Sequence, residues 1–347
     1  MRASTRRWSL VSVLVLSTVL AGCGSGVDTK KVSFPRETVP AGEEIGPGGG
    51  DETKTETETG GGTAAPKSGD DAFTSENLRL VDPCELMGKD VLAAFGEPAE
   101  NRLRDYVLCS NYMQTPAGVD LNLTLTVGEL VSSGSKDKNL TVGGLPALQS
   151  ELDDKSACFI TALTEKNPDR GITVQTGGKA TDQCDPGRKL LEAVVNRIRS
   201  GATPLAVVKG SMAELKPCEV VDAAVITSAM GEAADGRPTG LHLCNWSARG
   251  VSMSLQFKLG YKPEDLKDAA KTKEVDLGGG VIGYQESSTS SGARCELEWT
   301  HVPYPPDTER AEVVSIDFSR YEPKAGEDPC AQVMTLAKAV LPKLPAK

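Results

Sequence analysis

Eight of the nine cysteines fall into two sets with nearly the same spacing: Cys84, Cys109, Cys158 and Cys184, then Cys218, Cys244, Cys295 and Cys330. The first gaps are 25 and 26 residues, the second 49 and 51, and only the third differ much, 26 against 35. The residues around them repeat as well. "VDPCELMGKDVLAAFGE" matches "LKPCEVVDAAVITSAMGE" with one insertion, "VLCSNY" matches "HLCNW", and "NLTVGGLPAL" matches "EVDLGGGVIG". "ACFITALT" matches "RCELEWT", and "CDPGRKLLEAVVNRI" aligns without a gap on "CAQVMTLAKAVLPKL". Self-similarity of this kind marks a duplicated unit. The spans 78–202 and 212–347 are each of ordinary size for one core. Residues 203–211 form a short linker between them.

Each half reads as α+β: an antiparallel sheet flanked by an N-terminal and a C-terminal helix. After Pro83-Cys84 the apolar positions Leu86, Met87, Val91 and Phe95 recur at near-helical spacing, with Gly96 as a stop. Pro217, Val220, Val221, Val225 and Met230, ending at Gly231, repeat that design. Strict alternation follows in "GVDLNLTLTVG" (Val119, Leu121, Leu123, Leu125, Val127) and in "GVSMSLQFKLG" (Val251, Met253, Leu255, Phe257, Leu259). A period of two indicates half-buried strands of antiparallel sheets. Further strands are expected at "CFITALT", "GITVQT", "RCELEWT" and "VVSIDFS", and a helix closes each half, with Leu190, Leu191, Val194, Val195 and Ile198 on one face in the first.

Outside the cytoplasm paired thiols oxidise and persist. Each set of four cysteines allows three connectivities. Cys84–Cys109 with Cys158–Cys184, and Cys218–Cys244 with Cys295–Cys330, are favoured because each pair then ties a helix to a neighbouring strand. Loops of this length contribute roughly 3 kcal/mol each in the loop-entropy model. Aromatic residues are only 4% of the chain, so such staples matter to cores without large side chains. Zinc-binding cysteines come as C-x₂-C pairs, a spacing absent here.

The ninth cysteine, Cys23, ends "VLAGC". Before it stand the basic Arg2, Arg6 and Arg7, an apolar run from about Trp8 to Ala21, and the small pair Ala21-Gly22. This pattern is a secretory leader over residues 1–22. The apolar run falls short of the roughly 20 residues a spanning helix needs. Leu20-Ala21-Gly22-Cys23 resembles the lipobox of bacterial lipoproteins, which implies an acylated Cys23 as lipid attachment site and a chain tethered to the outer face of the cell membrane. From Cys23 to residue 77 the chain is rich in glycine, threonine and acid, too poor in apolar surface to fold. Such a linker is expected to behave as a flexible coil with its ends roughly 40 Å apart. Losing the leader's arginines takes the net charge from −10 to about −13. With no basic stripe, nucleic acid is excluded as a partner.

The Pro-Cys openings "DPCELM" and "KPCEVV", the "CNW" at Cys244–Trp246, and the late "DPCAQVMTLAKAVLPKLP" resemble a family of secreted actinobacterial lipoproteins whose shared domain has no assigned function. The first half departs from that pattern in having Tyr112, one residue later, where Trp is usual. Fold-level likeness to small envelope domains with a curved antiparallel sheet, some of them glycolipid-binding or sensory, is an analogy.

Signals for catalysis are absent. The two histidines, His242 and His301, sit in no metal motif. Ser133–Lys136 fits S-x-x-K only in a polar turn, and no G-x-S-x-G occurs. "GGGVIG", Gly278–Gly283, satisfies G-x-G-x-x-G, but strand residues follow it, so it reads as a loop where backbone approaches closely. No metal and no cofactor is expected. Tyr106, Tyr112, His242, Trp246 and Trp299 are the candidate lining of a ligand pocket, although Trp246 reads more readily as core packed on its neighbouring disulfide. A cleft between the halves is a second possible site. The expectation is a non-enzymatic module binding a lipid, glycan or envelope protein. A structural subunit of a membrane complex is the alternative, and an envelope hydrolase the more remote one.

Overall fold

A computed structural model describes residues 37–38, 70–131, 137–179, 182–290, 292–305, 307–323 and 325–347. The leader, Cys23, most of the linker and the S-x-x-K turn lie outside the described residues. The described residues belong to one compact unit.

The chain builds two seven-stranded antiparallel sheets. Strands of the first are β2 (Arg102–Asp105), β3 (Leu108–Gln114), β4 (Asp120–Leu130), β5 (Asp137–Val142), β6 (Leu145–Glu151), β7 (Ala157–Lys166) and β8 (Arg170–Gly178), in the order β2-β3-β4-β8-β7-β6-β5. A two-residue strand, β1 (Glu37–Thr38), pairs with the end of β7. The second sheet holds β9 (Gly236–Gly240), β10 (Leu243–Ala248), β11 (Val251–Tyr261), β12 (Lys273–Gly278), β13 (Val281–Ser288), β14 (Ala293–Pro303) and β15 (Arg310–Arg320). Its order, β9-β10-β11-β15-β14-β13-β12, reproduces that of the first strand for strand. A two-domain arrangement fits this repetition.

The long strands form where the alternation is strict. Leu121, Leu123, Leu125 and Val127 of β4 turn one face into the first core, and Val251, Met253, Leu255, Phe257 and Leu259 of β11 do so in the second. Helix Cys184–Arg199 lays Leu190, Leu191, Val194, Val195 and Ile198 on β7 and β8. Helix Pro329–Val340 lays Val333, Leu336, Ala337 and Val340 on β14 and β15.

The segment after Pro83-Cys84 differs from the single helix that its spacing predicts. It forms two one-turn helices, Pro83–Leu86 and Lys89–Leu92, separated at Met87 and Gly88. Arg197 of the closing helix reaches into that break, donating from Nη1 to the Glu85 carbonyl at 2.8 Å and pairing with Asp90. In the second half one turn, Pro217–Val220, precedes Ala223–Met230, which ends at Gly231 in the left-handed region. The "GGGVIG" segment makes the β12–β13 hairpin turn and enters β13. At Gly279 and Gly280, with φ of 62° and 79°, an added Cβ would meet nothing within 4 Å, so positive φ requires glycine there. At Gly283 the expected close approach is found, a Cβ there falling 2.7 Å from the Leu297 side chain.

Four disulfides join Cys84 to Cys109, Cys158 to Cys184, Cys218 to Cys244 and Cys295 to Cys330. Each links a residue in the first turn of a helix to a strand: β3, β7, β10 and β14. In three of the four an aspartate two residues before the cysteine caps that turn. Asp82, Asp182 and Asp328 accept from the amides of Cys84, Cys184 and Cys330 at 2.8–2.9 Å. A side-chain acceptor at a helix start satisfies amides the helix cannot, and here it also holds the thiol toward the sheet. Four disulfides suggest an extracytoplasmic protein. Among the described residues no helix is long and apolar enough to cross a membrane.

Candidate functional site

The two halves exchange side chains at the turns that follow their edge strands. Tyr106, between β2 and β3, is buried in the second core, and Leu241, between β9 and β10, is buried in the first. Gly128 of β4 makes room for that second insertion. It has φ of 72°, and a Cβ there would lie 2.4 Å from the Leu241 side chain. Tyr106 meets His242 across the boundary, with ring centroids 4.7 Å apart.

Two equivalent arginines lock the exchange. Arg170, opening β8, donates to the Gly128 carbonyl of its own half at 2.6 Å and to Pro238 of the other at 2.7 Å. Arg310, opening β15, donates to Leu259 of its own half at 3.2 Å and to Leu103 and Arg104 of the other. Leu103 and Pro238 are equivalent residues, since each pairs with the disulfide cysteine of the neighbouring strand, Cys109 or Cys244. The contact therefore has approximate twofold symmetry. Guanidinium groups suit this task because their fixed fork satisfies several carbonyls at once. Arg79 adds bonds to Leu215 and Leu241, and its own carbonyl lies 3.3 Å from His242 Nε2.

On one side of this junction the symmetry fails and a cleft opens. It has a volume of about 500 Å³ and is lined by Glu100, Asn101, Arg102, Leu103 and Arg104 of the first half with Gly260, Tyr261, Tyr304, Asp307 and Arg310 of the second. Strand register identifies what stands on the mirror side. Arg104 is replaced by Thr239, Tyr261 by Leu130, and the place of Tyr304 opposite Arg310 is taken by Glu165 opposite Arg170. Glu165 is buried, pairs with Arg170 at 3.4 Å and accepts from the Ser75 amide at 2.8 Å, which consumes its charge. In the cleft, Arg104 spends only Nε, on Ser110 Oγ at 3.2 Å. The Arg102 guanidinium lies 5.6 Å from the centroid of the Tyr112 ring. Among the described residues neither arginine has a carboxylate within ion-pair distance. Asp307 turns back to accept from the Glu309 amide at 2.9 Å, and Tyr261 is 50% exposed.

The residues singled out as a pocket do not converge. Trp246 and Trp299 are buried in the second core. His242 is buried at the junction, where enclosure and then the charge of Arg79 push its pKa down to about 3, so the ring stays neutral. Burial also lowers His301, whose Nε2 lies 2.9 Å from the Gly210 carbonyl. Tyr106 is consumed by the exchange, and burial pushes its phenol far above the usual range. Tyr112 alone is accessible, at 48%, on a groove beside the cleft with Gln114, Asp120 and Asn122. The cleft residues Arg102, Arg104, Tyr261 and Tyr304 carry no periodicity or motif. Their signal in the sequence is that three of them break the alignment of the two halves. Among the described residues no group of three or more His, Cys, Asp or Glu is placed to hold a metal.

A protein with two repeated antiparallel sheets, four disulfides and a junctional cleft is thus defined. Residues 18–197, just over half of the chain, match the family described as "Protein of unknown function (DUF3558)", and the chain belongs to that family. No curated protein and no solved structure matches it.

Proposed function

We propose that this protein is a secreted, actinobacterial-type lipoprotein acylated at Cys23 and tethered to the outer face of the cell membrane, where it binds a ligand without catalysis. The repeated unit is helix, sheet and helix, the second bounded at 212–347. The first ends at 202 and begins by residue 70, since Ala72 and Phe73 are already buried in its core, and the segment from Cys23 to about residue 69 links it to the membrane. The ligand site is the junctional cleft. The observation that carries this reading is the broken symmetry: two arginines that have no carboxylate partner among the described residues line a cavity with two tyrosines, at positions where the other half carries different residues. A volume of this size lies within the range of small-ligand sites, about 300–1,000 Å³, and such sites favour domain junctions. The family match starts at residue 18 and so takes in Cys23, which supports treating the lipobox as part of the family's common chain. Among the described residues of the cleft no serine, threonine or cysteine stands as a nucleophile beside a base, which favours binding over hydrolysis.

Two measurements test this. Mass spectrometry of the N-terminal peptide is expected to show acyl chains on Cys23, and Cys23→Ala to leave the protein unacylated and released from membranes. Native mass spectrometry of the extracted protein is expected to show a bound molecule that Tyr261→Ala loses. An unmodified Cys23 would remove the tether, and a ligand retained by Tyr261→Ala would move the site elsewhere.

A further inference from the structure

We infer that the junctional cleft recognises an anionic saccharide, a sugar chain bearing carboxylate or phosphate. This rests on the reading of the cleft as the ligand site. Arg102 and Arg104 stand two residues apart on the edge strand β2, Arg104 at the bulge between Leu103 and Asp105. Both line the cavity, and among the described residues neither meets a carboxylate. Among the described residues the Arg102 guanidinium makes no hydrogen bond, and Arg104 keeps both terminal nitrogens after Nε is spent on Ser110. A pair of guanidiniums with donors to spare is the usual means of holding an oxyanion.

The opposite wall decides what carries the anion. Tyr261 and Tyr304 line it, and aromatic rings carrying hydroxyls suit the C–H faces and hydroxyls of a pyranose. An acyl chain fits this lining poorly, since among the described residues Leu103 is its one aliphatic side chain and that residue packs toward the second core. The mirror side serves as an internal control, because it has the same fold with Leu130, Thr239 and Glu165 in these places and a carboxylate already paired with Arg170. Arg237, the counterpart of Arg102, stands exposed there.

The test is calorimetric titration of the full chain in detergent with three probes: trigalacturonic acid, mannotriose 6-phosphate and uncharged mannotriose. One or both charged probes should bind at least tenfold tighter than mannotriose, and which of them does so tells carboxylate from phosphate. Arg102→Ala and Arg104→Ala should each weaken that binding by about ten- to a hundredfold, the effect of losing a charge-assisted bond. Arg237→Ala should leave it unchanged, with melting temperatures matched across the variants to show intact folds. If mannotriose binds as tightly, the arginine variants bind like the parent and Tyr261→Ala alone loses binding, the anionic class is wrong while the cleft stands. If no probe binds, or none of the variants alters binding, the cleft falls as well.

Discussion

Asp105 stands where the two halves meet, and its carboxylate accepts from the amides of Tyr106 at 2.7 Å and Leu259 at 2.9 Å. Burial outweighs these bonds and the nearby Lys258 and Arg310, pushing its pKa up to about 6. A carboxyl raised above its unfolded value binds its proton more tightly in the folded state. Stability should therefore fall as pH rises from about 4 to about 6 and level off above, the reverse of the usual carboxylate behaviour. The cost at neutral pH is about 3 kcal/mol at roughly 1.4 kcal/mol per pKa unit. Asp105→Asn keeps an acceptor for the amides and removes the charge, so its denaturation midpoints should lose that slope between pH 4 and 6. A variant with the parent's pH profile would refute the assignment. Residues of this kind were illegible beforehand. Asp105 and Arg310 look like surface charges in sequence, and only the carbonyls and amides brought to them from the other half give them work.

At the scale of elements, local chemistry was easier to read. Alternation over 119–127 and 251–259 marks the strands β4 and β11, because a period of two survives whatever the strand pairs with. Apolar spacing after Pro83 was less informative. Arg197 bonds to the Glu85 carbonyl and pairs with Asp90 on either side of the break at Met87 and Gly88, and no property of the segment itself announces that break. The cysteines fall between these cases, since their spacing left three pairings open in each half and the fold contains one. Replacing Cys158 and Cys184 together by serine should lower stability by about 3 kcal/mol, read as a shift in urea midpoint. Helix Cys184–Arg199 should lose its protection from hydrogen exchange first, because that bridge holds its first turn to β7. Equal loss throughout the sheet would show that the bridge acts on the whole unit instead.

At the scale of the molecule, the exchange of Tyr106 for Leu241 makes the two halves depend on each other. Truncating a buried aromatic to alanine costs about 3–5 kcal/mol. Tyr106→Ala, although in the first half, should therefore destabilise the second, where its ring is buried. Limited proteolysis should then cut near β9–β11 before it cuts the first sheet. Cleavage confined to the first half would show that Tyr106 serves only its own. The same arrangement explains why the pocket nominated from Tyr112, His242, Trp246 and Trp299 did not form. These residues stand beside three different cysteines, Cys109, Cys244 and Cys295; alternating strand positions send the tryptophans inward, and the junction encloses His242. By itself the sequence determined the duplication and the central strands, because repeats and alternation are local patterns that each half carries within itself. The tertiary structure decided which turns cross between the halves, which arginines are consumed in joining them, and where a cleft remains. Those depend on non-periodic residues whose partners lie up to 207 positions away in the chain.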